Sequence, residues 1–179
     1  MNIDLEKLEV EVRRSIASSH FISENVLYAL SDDESSKVRG EVACNINAPR
    51  ELLVKLSKDS DKYVRLKVAS NEKTPSEILD TLSKDSEDAV RFEVAGNPKA
   101  YKKTLLYLSD DSNFMIIKKI ACNKNASEKI LRKLQKENDS FELMYLISNN
   151  SSISQKYRRE LTKKIPNGIF ANPPTILDL

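Results

Sequence analysis

The sequence is poor in the residues on which turn-rich, metal-binding and redox proteins depend. It has three Gly, no Trp, two Cys and one His among 179 residues. So few Gly argue against an all-β fold, because tight turns depend on Gly. Two thiols cannot supply a four-ligand metal site, and the sequence has no Gly-rich phosphate loop and no Gly-x-Ser-x-Gly motif. We therefore predict that the protein is not an enzyme and uses no cofactor.

Targeting and membrane segments are also missing from the sequence. The first residues are acidic, and no basic stretch precedes an apolar run as it would in a signal peptide. No run of apolar residues approaches the length that a membrane span needs. These absences predict a cytoplasmic protein without membrane partners.

Charge is distributed unevenly along the chain, although the net charge is only +2. Residues 1–98 contain 14 Lys and Arg against 19 Asp and Glu, whereas residues 99–179 contain 15 against 8. An acidic first half and a basic second half favour a partner with the opposite asymmetry, or antiparallel self-association.

An internal repeat of 26 residues is the strongest feature of the sequence. Asparagine recurs with this period at Asn45, Asn71, Asn97, Asn123 and Asn149. Apolar columns keep the same phase: Val12, Val38, Val64, Val90, Ile116; Ile16, Val42, Val68, Val94, Ile120, Leu146; Leu27, Leu53, Leu79, Leu105, Leu131. Several columns aligned at one period predict a repeat architecture rather than a chance pattern.

Each repeat is predicted to contain two short helices, such as 75–84 and 88–95, because apolar residues there fall on one helical face. Thr74 and Glu77 have the spacing of a capping box around Pro75. Helices this short are marginal alone, so repeats must stack to bury their apolar sides. We predict an all-α, right-handed α-solenoid (superhelix) of about six two-helix repeats over residues 1–164.

The repeat motif is Val-Arg-x-x-Val-Ala-x-Asn followed by Thr-Pro-x-x-x-Leu-x-x-Leu-x-x-Asp, and residues 64–71 with 74–85 match it best. This motif resembles the leucine-rich repeat variant, a relative of the HEAT repeat. The resemblance implies stacked helices in a right-handed superhelix, with a first helix that is partly 3₁₀. Some members carry an N-terminal iron–sulfur cluster on clustered cysteines, which this chain lacks.

An arginine column is the first candidate for binding. It comprises Arg13, Arg39, Arg65 and Arg91, and it stops where Ile117 and Leu143 replace arginine. Guanidinium groups in a row could bind phosphates or acidic side chains. Alternatively, an aspartate six residues earlier pairs with the arginine across the turn between helices: Asp33 with Arg39, Asp59 with Arg65, and Asp85 with Arg91. We favour this internal brace.

Two further columns have structural interpretations. Each asparagine follows a short helix, where it can adopt a left-handed conformation or bond the backbone groups of the turn. A column of small residues precedes it and includes Cys44 and Cys122. We expect these cysteines to fill a position where a neighbouring backbone approaches closely, and not to form a disulfide.

The basic second half is the other binding candidate, with Lys118, Lys119, Arg132 and Lys133 as its central residues. These side chains form either a solvated face or a surface for an acidic protein or a polyanion. The chain offers no aromatic-rich basic stretch for stacking bases.

The last residues, 165–179, break the repeat because they contain three Pro and one Gly. They also contain several large apolar residues. We expect this tail to cover the open end of the last repeat, with insertion into another molecule, and thus self-association, as the alternative.

These observations favour a non-enzymatic repeat scaffold that mediates protein–protein interaction. The alternative is a nucleic-acid-binding, HEAT-like protein that uses the basic half. The two hypotheses differ in where the basic side chains lie: on one concave face for nucleic acid, or scattered for a protein scaffold.

Overall fold

The computed structural model describes residues 5–166, which form twelve α-helices, a 3₁₀ turn at Leu5–Lys7 and no strand. The predicted all-α fold class is therefore confirmed. Residues 167–179, which make up nearly all of the predicted tail, lie outside the described residues. Its expected capping role stays a prediction.

Each repeat consists of a first and a second helix. The first helices are α1 (Val10–Ser18), α3 (Ser36–Cys44), α5 (Lys62–Ser70), α7 (Asp88–Gly96), α9 (Phe114–Cys122) and α11 (Phe141–Asn149). The second helices are α2 (Glu24–Leu30), α4 (Arg50–Leu56), α6 (Ser76–Leu82), α8 (Lys102–Leu108), α10 (Glu128–Glu137) and α12 (Gln155–Thr162). Both helices of every repeat are α-helical, so the expectation of a partly 3₁₀ first helix is wrong.

The predicted capping box at the start of α6 is also wrong. Pro75 is the extended residue before the helix, with φ −60° and ψ 143°, and the helix begins at Ser76. The Thr74 hydroxyl donates instead to the carbonyl of Val68 at 2.6 Å. Thr74 is fully buried, so it joins the turn to the preceding first helix rather than capping the next one.

The chain separates into two compact units, residues 1–99 and 100–179. In the first unit α1 packs on α3, α3 on α5, and α5 on α7, while in the second α9 packs on α11 and α11 on α12. The Val and Leu columns are buried in both units except in the first repeat, where Val12 is 46% exposed and Ile16 is half-buried; Val64, Leu79 and Leu131, for example, are 0% exposed. Burying each such side chain contributes about 2 kcal/mol. The predicted stacking of two-helix repeats is therefore confirmed within each unit.

Helices α3 and α5 leave no room for a side chain at Gly40 on α3. A Cβ atom at this position would overlap Cε1 of Tyr63 on α5. The sequence interpretation placed the close approach at the column of small residues instead. That expectation is wrong for Cys44, which is exposed.

The last repeat is displaced by one residue from the 26-residue period. Helix α10 has ten residues where the other second helices of the first five repeats have seven, and the turn after it is short. Helix α11 therefore begins 27 residues after α9. Asn150, Ile147 and Met144 occupy the column positions predicted for Asn149, Leu146 and Leu143.

No helix within residues 5–166 has both the length and the apolar character needed to cross a bilayer.

Candidate functional site

Asparagine side chains bond consecutive repeats together. The Nδ2 atom of Asn71 donates to the carbonyls of Ala43 at 2.8 Å and Asn45 at 3.2 Å, both in the preceding repeat. Its Oδ1 accepts from the Lys73 amide at 2.8 Å. Asn71 lies in extended backbone, with φ −71° and ψ 120°, so the left-handed alternative is wrong. The predicted role in satisfying turn groups is confirmed.

The fifth and last asparagine of this column is Asn150. It is buried, and its Nδ2 donates to the carbonyls of Ala121 at 2.7 Å and Asn123 at 3.0 Å. Asn149 is exposed, and its side chain donates to the Tyr145 carbonyl within its own helix at 3.0 Å. The prediction of Asn149 is thus wrong by the one residue inserted near the end of α10.

The arginine column braces the turns of the first unit. Arg39 forms two hydrogen bonds to Asp59, at 2.7 and 2.9 Å, and Arg65 forms two to Asp85, at 2.7 and 3.0 Å. The carboxylate therefore comes from the residue 20 positions later, not from the one six positions earlier. The earlier aspartate contributes its backbone carbonyl, which accepts from Nη1 of Arg39, Arg65 or Arg91 at 2.8–2.9 Å.

These pairs perturb the carboxylates electrostatically. Burial alone would raise the pKa of Asp59 and Asp85. Hydrogen bonds from the paired arginine and from a turn amide outweigh it and lower both pKa values below the ordinary 3.8. Because the donors of Arg39 and Arg65 are engaged within the protein, these arginines hold the scaffold together and are poorly placed to bind a ligand.

The four basic residues predicted as a binding set do not come together. Lys118 and Lys119 belong to the first helix α9, while Arg132 and Lys133 belong to the second helix α10. Lys118 is buried and its Nζ lies 2.9 Å from Oε1 of Glu142. The predicted set is therefore divided between two helix layers.

Lys133 has a structural counterpart in the first unit. Its Nζ bonds Oγ of Ser109 at 2.9 Å and Oδ1 of Asp110 at 2.5 Å. Lys55 bonds Ser31 and Asp32 at the equivalent place, at 2.9 and 2.6 Å. A contact that recurs in both units belongs to the repeat rather than to a unit-specific site.

Arg132 is the centre of a small cluster that joins α10 to α12. Its guanidinium lies 3.7 Å from the centre of the Tyr157 ring. It also pairs with Glu128 at 2.8 Å and with Glu160 at 3.3 Å. The Ser154 amide, which bonds Glu128, is the largest of the influences that lower the pKa of that carboxyl. Arg132 is thus exposed but already compensated by two carboxylates.

A different set of cations on the second unit lacks such compensation. Within residues 5–166, five exposed side chains on its second helices form no ion pair or hydrogen bond: Lys102, Lys129, Lys136, Lys156 and Arg159. They occupy helix positions opposite the buried apolar positions of α8, α10 and α12. They therefore share the outward side of these helices. We call these residues, together with the exposed Leu106 and Tyr107, the basic second-helix face.

Sequence reasoning named these cations only as part of a long basic stretch. Lys129 and Lys156 stand at the second position of their helices, and Arg159 at the fifth. A helical wheel of the second helices would have grouped them, because the buried third, fourth and seventh positions define the opposite side. Ion pairing, which separates them from Arg132 and Lys133, depends on neighbouring repeats and is not visible in the helix sequence.

In the last described repeat, Arg158 makes the backbone hydrogen bond that an asparagine makes in the earlier repeats. It stands at the position of Leu131 in the preceding repeat, 27 residues earlier. Its Nη2 donates to the Asn150 carbonyl at 3.0 Å. In earlier repeats the equivalent carbonyl accepts from the asparagine of the following repeat, as Asn71 accepts from Asn97 at 3.1 Å. Arg158 therefore takes the place of an asparagine from a further repeat.

Across residues 5–166, no group of three His, Cys, Asp or Glu side chains is arranged to hold a metal ion. The stacked two-helix repeats, joined by asparagine bonds, define the chain as a repeat scaffold. A solved structure described as "a leucine-rich repeat variant with a novel repetitive protein structural motif" is similar to it. The two share 26% identity over 81% of this chain and 68% of the other, with a TM-score of 0.38. No family model and no curated protein matches the chain.

Proposed function

We propose that this protein is a non-enzymatic scaffold that binds another protein through its repeats, in the cytoplasm. The observation that supports this proposal is the basic second-helix face, which combines cations that have no partner among residues 5–166 with the exposed side chains of Leu106 and Tyr107. Exposed apolar side chains among uncompensated charges are typical of protein interaction surfaces.

Nucleic-acid binding is the second candidate, because the same free cations could neutralise phosphates. Three carboxylates on α10 and α12 count against it, since Glu128, Glu137 and Glu160 lie among the cations. Lys118 and Lys119 lie in the other helix layer, where they cannot extend a phosphate track along the second helices.

Selection of random 16-residue peptides on phage, with the full chain as bait, tests the scaffold function. Recovery of peptides that compete with one another for one site supports it, and failure to enrich any peptide contradicts it. Fluorescence anisotropy of duplex DNA and single-stranded RNA tests the alternative at low and at physiological salt. Tight, salt-sensitive binding that is lost in a Lys129→Glu, Lys156→Glu, Arg159→Glu variant would favour nucleic acid.

A further inference from the structure

We infer that the basic second-helix face binds an acidic protein segment that also carries apolar side chains. The inference rests on the proposed scaffold function and assigns that function a surface and a kind of partner. It begins from the charges of the second helices. Helices α8, α10 and α12 contain nine Lys and Arg against three Asp and Glu, whereas α2, α4 and α6 contain two against four.

The three helices form one continuous surface. Lys133 on α10 reaches Asp110 and Ser109, which follow α8 directly. Arg132 on α10 reaches Glu160 on α12, and Glu128 accepts from the Ser154 amide just before α12. These bonds keep the helices adjacent in the order α8, α10, α12. The free cations of each helix therefore lie on one face rather than around the molecule.

The free cations define the charge of the partner. The compensated Arg132 and Lys133 contribute little net field, because each already lies against a carboxylate of this chain. Lys129, Lys156 and Arg159 have no such partner within residues 5–166. A segment with several Asp or Glu would supply the carboxylates that these side chains lack.

Two exposed apolar side chains on α8 make the basic second-helix face partly apolar. Leu106 is 43% exposed and Tyr107 is 53% exposed. Completing the burial of a leucine stabilises a complex, and tyrosine is favoured at protein interfaces. A phosphate backbone would leave Leu106 in water, whereas an apolar side chain next to acidic residues would cover it. The combination favours an acidic, partly apolar protein segment over a polyanion.

The test is a differential peptide selection on two forms of the full chain. One bait is the wild-type protein, and the other carries Lys129→Glu, Arg159→Glu and Leu106→Ala. The matched control carries Lys58→Glu, Lys73→Glu and Val54→Ala, which also reverse two positive charges and truncate one aliphatic side chain, at exposed positions of the first unit. All these side chains are exposed, and circular dichroism checks that each bait keeps its helices.

We expect peptides enriched on the wild type to contain both acidic and apolar residues, and to bind the first variant at least about tenfold more weakly than the control. Equal binding to all three baits would overturn the inference while leaving the scaffold function in place. So would enrichment of peptides that lack acidic or apolar residues. Enrichment of no peptide on any bait would contradict both proposals. Oligo(dT), polyglutamate and vesicles of anionic lipid serve as polyanion probes, and binding as tight as that of the selected peptides would also overturn the inference.

Discussion

The two units use the same fold but stabilise one of its positions in different ways. At the fourth residue of the first helix, the first unit has arginines bonded to aspartates, such as Arg65 to Asp85. The second unit has buried Ile117 and Met144 there. An ion pair with backbone bonds and an apolar contact thus serve the same place in the repeat. The backbone geometry therefore tolerates either chemistry, provided that the site is filled and its polar groups are paired.

The second helices differ in a way that concerns function rather than stability. They are acidic in the first unit and basic in the second, while the buried leucines at their fourth and seventh positions are the same except in α12, where Arg158 stands at the fourth position. Exposed positions are free to vary because the stacking of repeats does not depend on them. The difference between the units is therefore where a unit-specific activity is expected.

The largest expected effect on stability comes from the asparagine bonds, which both units share. Asn71→Ala in the first unit and Asn150→Ala in the second should each lower the free energy of unfolding by about 3 kcal/mol, because each leaves buried backbone groups without a partner. Urea denaturation measures both. Asn149→Ala is the control and should change stability by less than about 0.5 kcal/mol. A larger effect for Asn149 than for Asn150 would show that the one-residue displacement of the last repeat is incorrect.

The second-largest expected effect is a loss of stability that depends on pH in the first unit but not in the second. Arg65→Ala should cost about 2 kcal/mol near neutral pH, because the Asp85 carboxylate loses its cation. The pKa of Asp85 is lowered in the folded protein, so this stabilisation is present above the ordinary value of 3.8 and is lost as the pH falls below it. Ile117→Ala should cost a similar amount at every pH, since it only opens a cavity. Parallel pH profiles of unfolding for the two variants would contradict this difference.

Much of the fold could be predicted from the sequence, because stacked repeats place the same residue type at the same position each time. The Asn, Val and Leu columns revealed the helices and their buried sides. The pairing of Arg39 with Asp59 was missed, since a partner 20 residues later and one six residues earlier fit the period equally well. The displacement at Asn150 was missed because one inserted residue leaves Asn149 in the expected place. The free cations could not be separated from Arg132 and Lys133 without knowing which carboxylates the neighbouring repeats supply.

A smaller effect is expected at the end of the second unit. Arg158→Ala should lower the free energy of unfolding by about 1 kcal/mol, because the Asn150 carbonyl loses its bond to the guanidinium. Arg159→Ala, one residue later, should leave stability unchanged, since that side chain is exposed and has no partner within residues 5–166. Thermal and urea unfolding compare the two. Equal losses would mean that Arg158 does not replace the asparagine of a further repeat.

The smallest expected effect tests whether Lys133 belongs to the repeat or to a binding site. Lys55→Met and Lys133→Met should each cost about 0.5 kcal/mol, and the cost should shrink as salt is added, because each lysine pairs with an exposed aspartate. The equality follows from the matching contacts to Ser31 and Ser109. Peptide binding to the basic second-helix face should fall less for Lys133→Met than for Lys129→Met, because Lys133 pairs with Asp110 whereas Lys129 has no carboxylate partner within residues 5–166. If Lys133→Met instead left stability unchanged and weakened peptide binding more than Lys129→Met does, the assignment would be reversed. Lys133 would then belong to the binding site, as the sequence predicted.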